Sequence, residues 1–388
     1  MVKQIRNLSL FILILAIMVL NQPILANCDN GMTLNCKSAL LIEASTGTVI
    51  YEKNPHEKLE PASVTKIMTM LLVMEALDSG KITLEDKVII SRNASKMKGT
   101  CLILEEGEVR TVKDLITGIA VESANDGSVA IAEYISGDEE EFAMLMNKRA
   151  AELGMMDTHF KNSHGLHEEG HVTSAYDIGI MSRELLQHEK IFDFISIYMV
   201  KVTVGKKNDV IRELANKNKM IRFYNDVDGI KTGYTDNAMY CISATAKRNN
   251  LRFISVIMGA PSTGIRNTDA RNLLDYGFAN YSTYVVGKKG ETIKTVDIAK
   301  GSKINANAVL EKDAGVLIKK GEEKQIEKKI NIPDRVSAPL KKGDKLGEII
   351  LLKNGEALES VPVVIDEDIT RAGFFNNINK AIRYWLGD

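Results

Sequence analysis

Hydrophobic and polar positions alternate along this chain with a period that changes several times, and the changes divide it. After an uncharged apolar run at residues 8–20, short alternating segments at 38–44 and 48–51 flank Ser45-Thr46-Gly47, a β-hairpin pattern. Helical spacing follows from residue 63 to about 77, where Ile67, Met70, Leu71 and Met74 share a buried face. Residues 112–160 predict mostly helix, with Asp126 and Glu139-Glu140-Glu141 in turns or first turns, and helix returns at 174–187. From Gly229 the period shortens to that of strands. Residues 239–247 and 251–259 flank Arg248-Asn249-Asn250 as another hairpin, and 269–276 predict a closing helix. Strand, helices, then strands and a helix describe one sheet covered by helices drawn from the middle of the chain.

Beyond about residue 284 only short alternating segments remain, such as 292–298 and 347–352, separated by Lys-Gly and Asn-Gly turns. Asn354-Gly355 between two such runs is a strong hairpin signal. A second, small, all-β domain is expected here, and it carries no catalytic constellation. The tail differs again. Phe374, Ile378, Ile382 and Trp385 fall on one helical face, bordered by Phe375 and Leu386, with Lys380 and Arg383 on other faces. That composition predicts a helix lying in a membrane interface.

The first residues add a compartment to this picture. Lys3 and Arg6 precede the apolar run and Ile24-Leu25-Ala26 ends it, as in an export signal cleaved after Ala26. The run is shorter than the ~20 apolar residues of a membrane span. Lipidation at Cys28 has weaker support, because Asn27 stands where a small residue belongs. Losing Lys3 and Arg6 moves the formal net charge from −1 to −3, so no basic footprint for nucleic acid exists. The four cysteines, Cys28, Cys36, Cys101 and Cys241, are too few for a disulfide scaffold. Cys28 and Cys36 are the nearest pair, and Cys241 reads as a buried small hydrophobe. No Cys-x-x-Cys pattern occurs, and the one His-Glu-x-x-His match, His167-Glu168-Glu169-Gly170-His171, carries a glycine that disfavours the helix such a zinc motif needs, so no metal or other cofactor is expected.

Three short motifs carry the chemistry: Ser63-Val64-Thr65-Lys66, Ser123-Ala124-Asn125 and Lys231-Thr232-Gly233. Each is common by chance, but all three in this order are not. A serine hydroxyl needs an adjacent base, and Lys66 lies one helical turn from Ser63. Lysine serves as that base only when neutral, which desolvation and a nearby cation such as Lys231 favour. Ser123 and Asn125 can face one cleft from a tight turn. Ser123 is then placed to relay a proton to a leaving nitrogen, and Asn125 to offer a donor and an acceptor to a peptide amide. Gly233 lets a substrate backbone approach the strand edge, Lys231 and Thr232 can hold a carboxylate, and the N–H of Tyr234 can complete an oxyanion hole with that of Ser63. Asp126 is expected to cap a helix.

Together with Pro61-Ala62, His164-Gly165-Leu166 and Asp228-Gly229-Ile230, these motifs resemble the low-molecular-mass penicillin-binding proteins of the serine-type D-alanyl-D-alanine carboxypeptidase family. The resemblance spans nearly the whole chain. It implies an α/β catalytic domain of the serine β-lactamase/penicillin-binding type, with an antiparallel sheet covered by helices plus a helical cluster, then a small all-β domain and a C-terminal amphipathic helix. The expected divisions are 1–26 signal, 27–283 catalytic, 284–369 all-β and 370–388 helix. The implied catalytic residues are Ser63, Lys66 and Ser123, and the substrate-binding residues Asn125, Lys231, Thr232, Gly233 and Tyr234. The implied substrate is the peptidoglycan pentapeptide ending in D-Ala-D-Ala, with β-lactams as acylating ligands. The implied location is the outer face of the cytoplasmic membrane or the cell wall, held peripherally by the tail.

Relatives of this type can carry an arginine just after the strand ending at Gly259; here Ala260-Pro261-Ser262 stands instead. That leaves open which groups assist Lys231 and Thr232. A class A β-lactamase is disfavoured because no Glu between Asn125 and Lys231 has Asn four residues on: Val172 follows Glu168 and Thr173 follows Glu169. A D,D-endopeptidase or transpeptidase shares the same motifs, and a non-catalytic β-lactam sensor is opposed by all three being intact.

Overall fold

The computed structural model describes residues 32–373. The export segment, Cys28 and the apolar stripe from Phe374 onward lie outside the described residues. Two cores organise what is described. The first forms around an antiparallel sheet of β1 (Ser38–Glu43), β2 (Val49–Lys53), β3 (Val227–Thr235), β4 (Met239–Arg248) and β5 (Leu251–Ala260), in the spatial order β2-β1-β5-β4-β3. All six residues of β1 are buried, because this strand is covered on both faces. Its near-continuous apolar run is the signature of that position. The β4–β5 hairpin turns at Asn249-Asn250, with Arg248 opposite Leu251.

Five longer helices cover the sheet or cluster beside it: α1 (Lys66–Asp78), α2 (Asn125–Ser136), α3 (Glu139–Glu152), α4 (Ala175–Leu185) and α5 (Thr263–Asn280). A Cβ on Gly179 of α4 would strike Leu40, and one on Gly277 of α5 would strike Phe253; glycine lets each helix approach the sheet closely. The expected one-sided face of α1 proves too narrow. Eleven of its thirteen residues are buried, so α1 is the central helix of the core, apolar nearly all round. The long helical stretch expected at 112–160 is interrupted. A helix at Val112–Thr117 passes into a π-helical turn at Gly118–Glu122, and Ser123 adopts a left-handed backbone with φ 72°. The closing helix begins at Thr263, earlier than expected, capped by Ser262 Oγ accepting from Ile265 N.

The second core belongs to the all-β domain. Six strands, Thr292–Ala299, Asn305–Leu310, Ile326–Asn331, Arg335–Ser337, Lys345–Lys353 and Glu356–Ile365, form one sheet. Val296, Ile349, Leu351, Val361, Val363 and Ile365 are all buried in a cluster of their own. Asn354 and Gly355 turn the long hairpin with positive φ at both residues, 52° and 84°, as a type I′ turn demands. The strand Tyr281–Gly287 pairs with Ala314–Lys319 and straddles the expected division at 283/284.

Candidate active site

The nucleophile turn is built from the inside out. Pro61 leads into Ala62, whose φ is +48°, and a 3-10 turn at Ala62–Thr65 hands over to α1 at Lys66. The turn leaves Ser63 half-buried at a cleft of about 490 Å³, also lined by Thr100, Ser123, Lys217, Thr232, Tyr234 and Arg266. Gly233 of β3 lies against this turn. A Cβ there would sit 2.8 Å from Pro61 O and 3.0 Å from Ser63 N. The missing side chain therefore makes room for the nucleophile turn, and Gly233 also lines the cleft.

Lys66 is fully buried. Its Nζ lies 2.6 Å from Asn125 Oδ1, 2.6 Å from His164 O and 3.2 Å from Ser63 Oγ. Desolvation pushes its pKa well below the ordinary lysine value, and the nearby charge of Lys231 adds to the effect. A neutral amine has two N–H donors and one lone pair. In that form the Asn125 and His164 oxygens would take the donors and leave the lone pair for the Ser63 hydroxyl. The orientation of Asn125 is itself fixed, since its Nδ2 donates to Lys98 O at 2.7 Å. Asp126 is not the N-cap of its helix, though its Oδ1 accepts from the first-turn Gly127 N at 2.8 Å. Its carboxylate accepts from Leu102 N and Leu104 N and ties the segment over Asn125 in place.

Ser123 is buried, and its Oγ has no hydrogen-bond partner among the described residues. An orphaned buried hydroxyl is uncommon, and here it faces the cleft. Lys231 is buried and, among the described residues, donates to Thr232 O alone, at 3.1 Å. Burial, then Lys217 and Arg266, lower its pKa to about 7. Tyr234 is exposed at the outer end of β3, the edge strand of the sheet.

Motif reading missed Arg266. It is 4 % exposed and donates through Nε and Nη2 to Asn267 Oδ1. No carboxylate pairs with it among the described residues. Desolvation lowers its pKa to about 10, so it stays charged at neutral pH. It sits in the first turns of α5, where a cation opposes the helix dipole. The available signal was a basic residue after the Ser262 cap, in a first turn without any acid. Among the described residues the cleft is thus short of negative charge: of its cations only Lys217 has a carboxylate partner, Glu122, at 2.7 Å.

A helix-covered antiparallel sheet presenting a Ser-Lys pair, an orphan serine and a cationic wall short of carboxylates defines a serine acyl-transfer enzyme. The D-alanyl-D-alanine carboxypeptidase family profile matches residues 25–262, and the penicillin-binding protein 5 C-terminal domain matches residues 281–371. The chain belongs to this D-alanyl-D-alanine carboxypeptidase family. It is 46% identical over 357 residues to the D-alanyl-D-alanine carboxypeptidase DacF of Bacillus subtilis, covering 90% of each chain. The crystal structure of penicillin binding protein 5 from Haemophilus influenzae aligns with a TM-score of 0.71 and 29% identity, over 88% of this chain and 99% of that one. Penicillin-binding protein D2 of Listeria monocytogenes, in its ampicillin-bound form, aligns over 64% of this chain and 99% of that one, with a TM-score of 0.57 and 29% identity.

Proposed function

We propose that Ser63 attacks the carbonyl of the penultimate D-alanine of a peptidoglycan stem peptide, with Lys66 taking its proton. The observation that carries this reading is the Lys66 amine, desolvated and held by two oxygen acceptors with Ser63 Oγ at 3.2 Å. As the tetrahedral centre collapses, Ser123 relays the proton that Lys66 took from Ser63 to the leaving nitrogen, so D-alanine departs and both Ser123 and Lys66 return to their starting forms. Water then cleaves the acyl–Ser63 ester, with Lys66 again as base. The N–H groups of Ser63 and Tyr234 face the developing oxyanion, and Asn125 keeps one Nδ2 proton for the substrate amide. A β-lactam opens onto the same serine.

Lys231, Thr232 and Arg266 supply the carboxylate site, and Arg266 answers the question left by Ala260-Pro261-Ser262. An unpaired, desolvated guanidinium matches a terminal carboxylate, which favours carboxypeptidase over endopeptidase action. The decisive experiment compares an acyl-D-Ala-D-Ala peptide with its C-terminal amide. Preference for the free acid that shrinks in Arg266→Gln supports the reading; equal turnover of both peptides by the parent enzyme overturns it.

The same reading places the mature chain outside the cytoplasmic membrane, with export through residues 1–26 and peripheral attachment through 370–388. No helix among the described residues is long and apolar enough to cross a membrane. Deleting residues 373–388 is expected to release the enzyme from anionic vesicles in a flotation assay without altering turnover of a soluble peptide. Flotation equal to that of the parent would exclude the tail as anchor.

A further inference from the structure

Behind the nucleophile turn runs a polar chain that takes no direct part in the chemistry above. His171 is 2 % exposed, and its Nε2 lies 2.8 Å from Thr65 Oγ1. On the other side of the ring, Nδ1 accepts from Lys161 N at 3.0 Å. A nitrogen that accepts carries no proton, so the neutral imidazole bears its hydrogen on Nε2 and donates it to Thr65. The Thr65 hydroxyl in turn donates to Ala62 O at 2.9 Å. Burial holds the imidazole neutral, with its pKa down at about 4. The chain ends on the residue immediately before Ser63, the one with the left-handed backbone.

We propose that His171 is a positioning residue for acylation: through Thr65 it fixes the Ala62 carbonyl, and so the direction in which Ser63 faces Lys66. Two further contacts make this anchorage a framework. Leu59 and Thr173 pair as an isolated antiparallel bridge, tying the chain entering the nucleophile turn to the chain leaving His171. Phe160 packs edge-on to the imidazole at 5.8 Å between ring centroids, which fixes its plane. A left-handed conformation in a residue with a Cβ persists only where its surroundings over-determine it. Thr65, three residues on, provides that determination together with His171, which lies more than one hundred residues away.

The proposal rests on Ser63 being the nucleophile, and the test separates the two. Acylation by a fluorescent penicillin and kcat and KM for an acyl-D-Ala-D-Ala peptide are measured on His171→Gln, His171→Leu, Thr65→Ser, Thr65→Val and the double variant His171→Leu/Thr65→Val, with melting midpoints alongside. Misplacing a nucleophile by about 1 Å lowers rate on the order of 10²-fold, so His171→Leu and Thr65→Val are expected to lose acylation and kcat while KM holds. Glutamine presents an acceptor and a donor at similar spacing, and Thr65→Ser keeps the hydroxyl; both are expected to restore most of the rate. Two residues acting through one path do not add, so the double variant is expected to match the worse single one. Parental acylation in Thr65→Val overturns the proposal even if His171→Leu fails to fold. Additive losses, or a loss in His171→Gln equal to that in His171→Leu, overturn it as well. If Ser63→Ala still labels, the nucleophile assignment falls first.

Discussion

In the all-β domain, Lys294, Lys345 and Lys353 meet Asp334, Glu348 and Glu322 at 2.5, 2.9 and 2.7 Å, all of them at least partly open to water. In the catalytic domain, Lys66 and Lys231 are buried, and neither has a carboxylate partner among the described residues. The three β-domain carboxylates sit below their ordinary pKa, chiefly through hydrogen bonds from lysine. In the cleft it is the lysines that shift, downward, and desolvation is the leading cause. One residue type thus serves solubility in one place and proton transfer in another, and the deciding variable is access to water rather than sequence neighbours.

The sharpest way to break this contrast is to restore a permanent charge. Lys66→Arg keeps the positive charge but cannot supply a neutral base, so acylation is expected to fall by roughly 10²–10⁴-fold. Labelling by fluorescent penicillin at the parental rate would remove Lys66 from its role. Ser63→Ala sets the floor of the same assay, with no covalent labelling and an unchanged fold.

Arg266→Gln comes next. Losing a charge-assisted hydrogen bond of about 1.5–3 kcal/mol is expected to lower kcat/KM for the free-acid peptide and to spare the amide. Equal losses on both peptides would show that Arg266 serves structure alone.

A smaller effect runs opposite to activity. The folded-state pKa of Lys231 is below its unfolded value, so between about pH 7 and 10.5 the unfolded chain binds more protons and stability climbs with pH. Below about pH 7 the burden of the buried charge is felt in full. Lys231→Met is therefore expected to raise the melting midpoint, by roughly 1–4 kcal/mol equivalent at or below neutral pH, and by less at pH 9. A variant that melts lower than the parent at pH 6 would refute this. At the foot of the scale, Lys294→Ala and Lys345→Ala in the β domain are expected to change neither turnover nor melting midpoint measurably, because exposed pairs contribute little.

What was legible in the sequence follows from how local each feature is. The Ser63-Lys66 pair, the Asn354-Gly355 turn and the second core were readable because one helical turn, one turn type and an alternation of period two settle them. The break at Gly118–Glu122 was not: Ile119, Ala120 and Val121 continue an apolar pattern, and only the left-handed Ser123 reveals the interruption. The packing partners of Asp126 and Gly233 and the place of Arg266 were not legible for a shared reason. Their partners, Leu102 and Leu104, the Pro61–Ser63 turn and the cleft wall, are chosen by the tertiary fold. Burial without a counter-charge leaves no trace in a motif.

Gly165 follows the carbonyl that holds Lys66, and a Cβ on it would stand 1.9 Å from Ala62 O, on the turn that holds Ser63. Its φ is +86°. Base support and nucleophile support therefore touch backbone to backbone, with no flexible side chain to absorb a change. Such a joint makes two distant stretches of sequence one mechanical part. A side chain added at Gly165 has to displace the nucleophile turn itself, so a single substitution disturbs the support of both base and nucleophile.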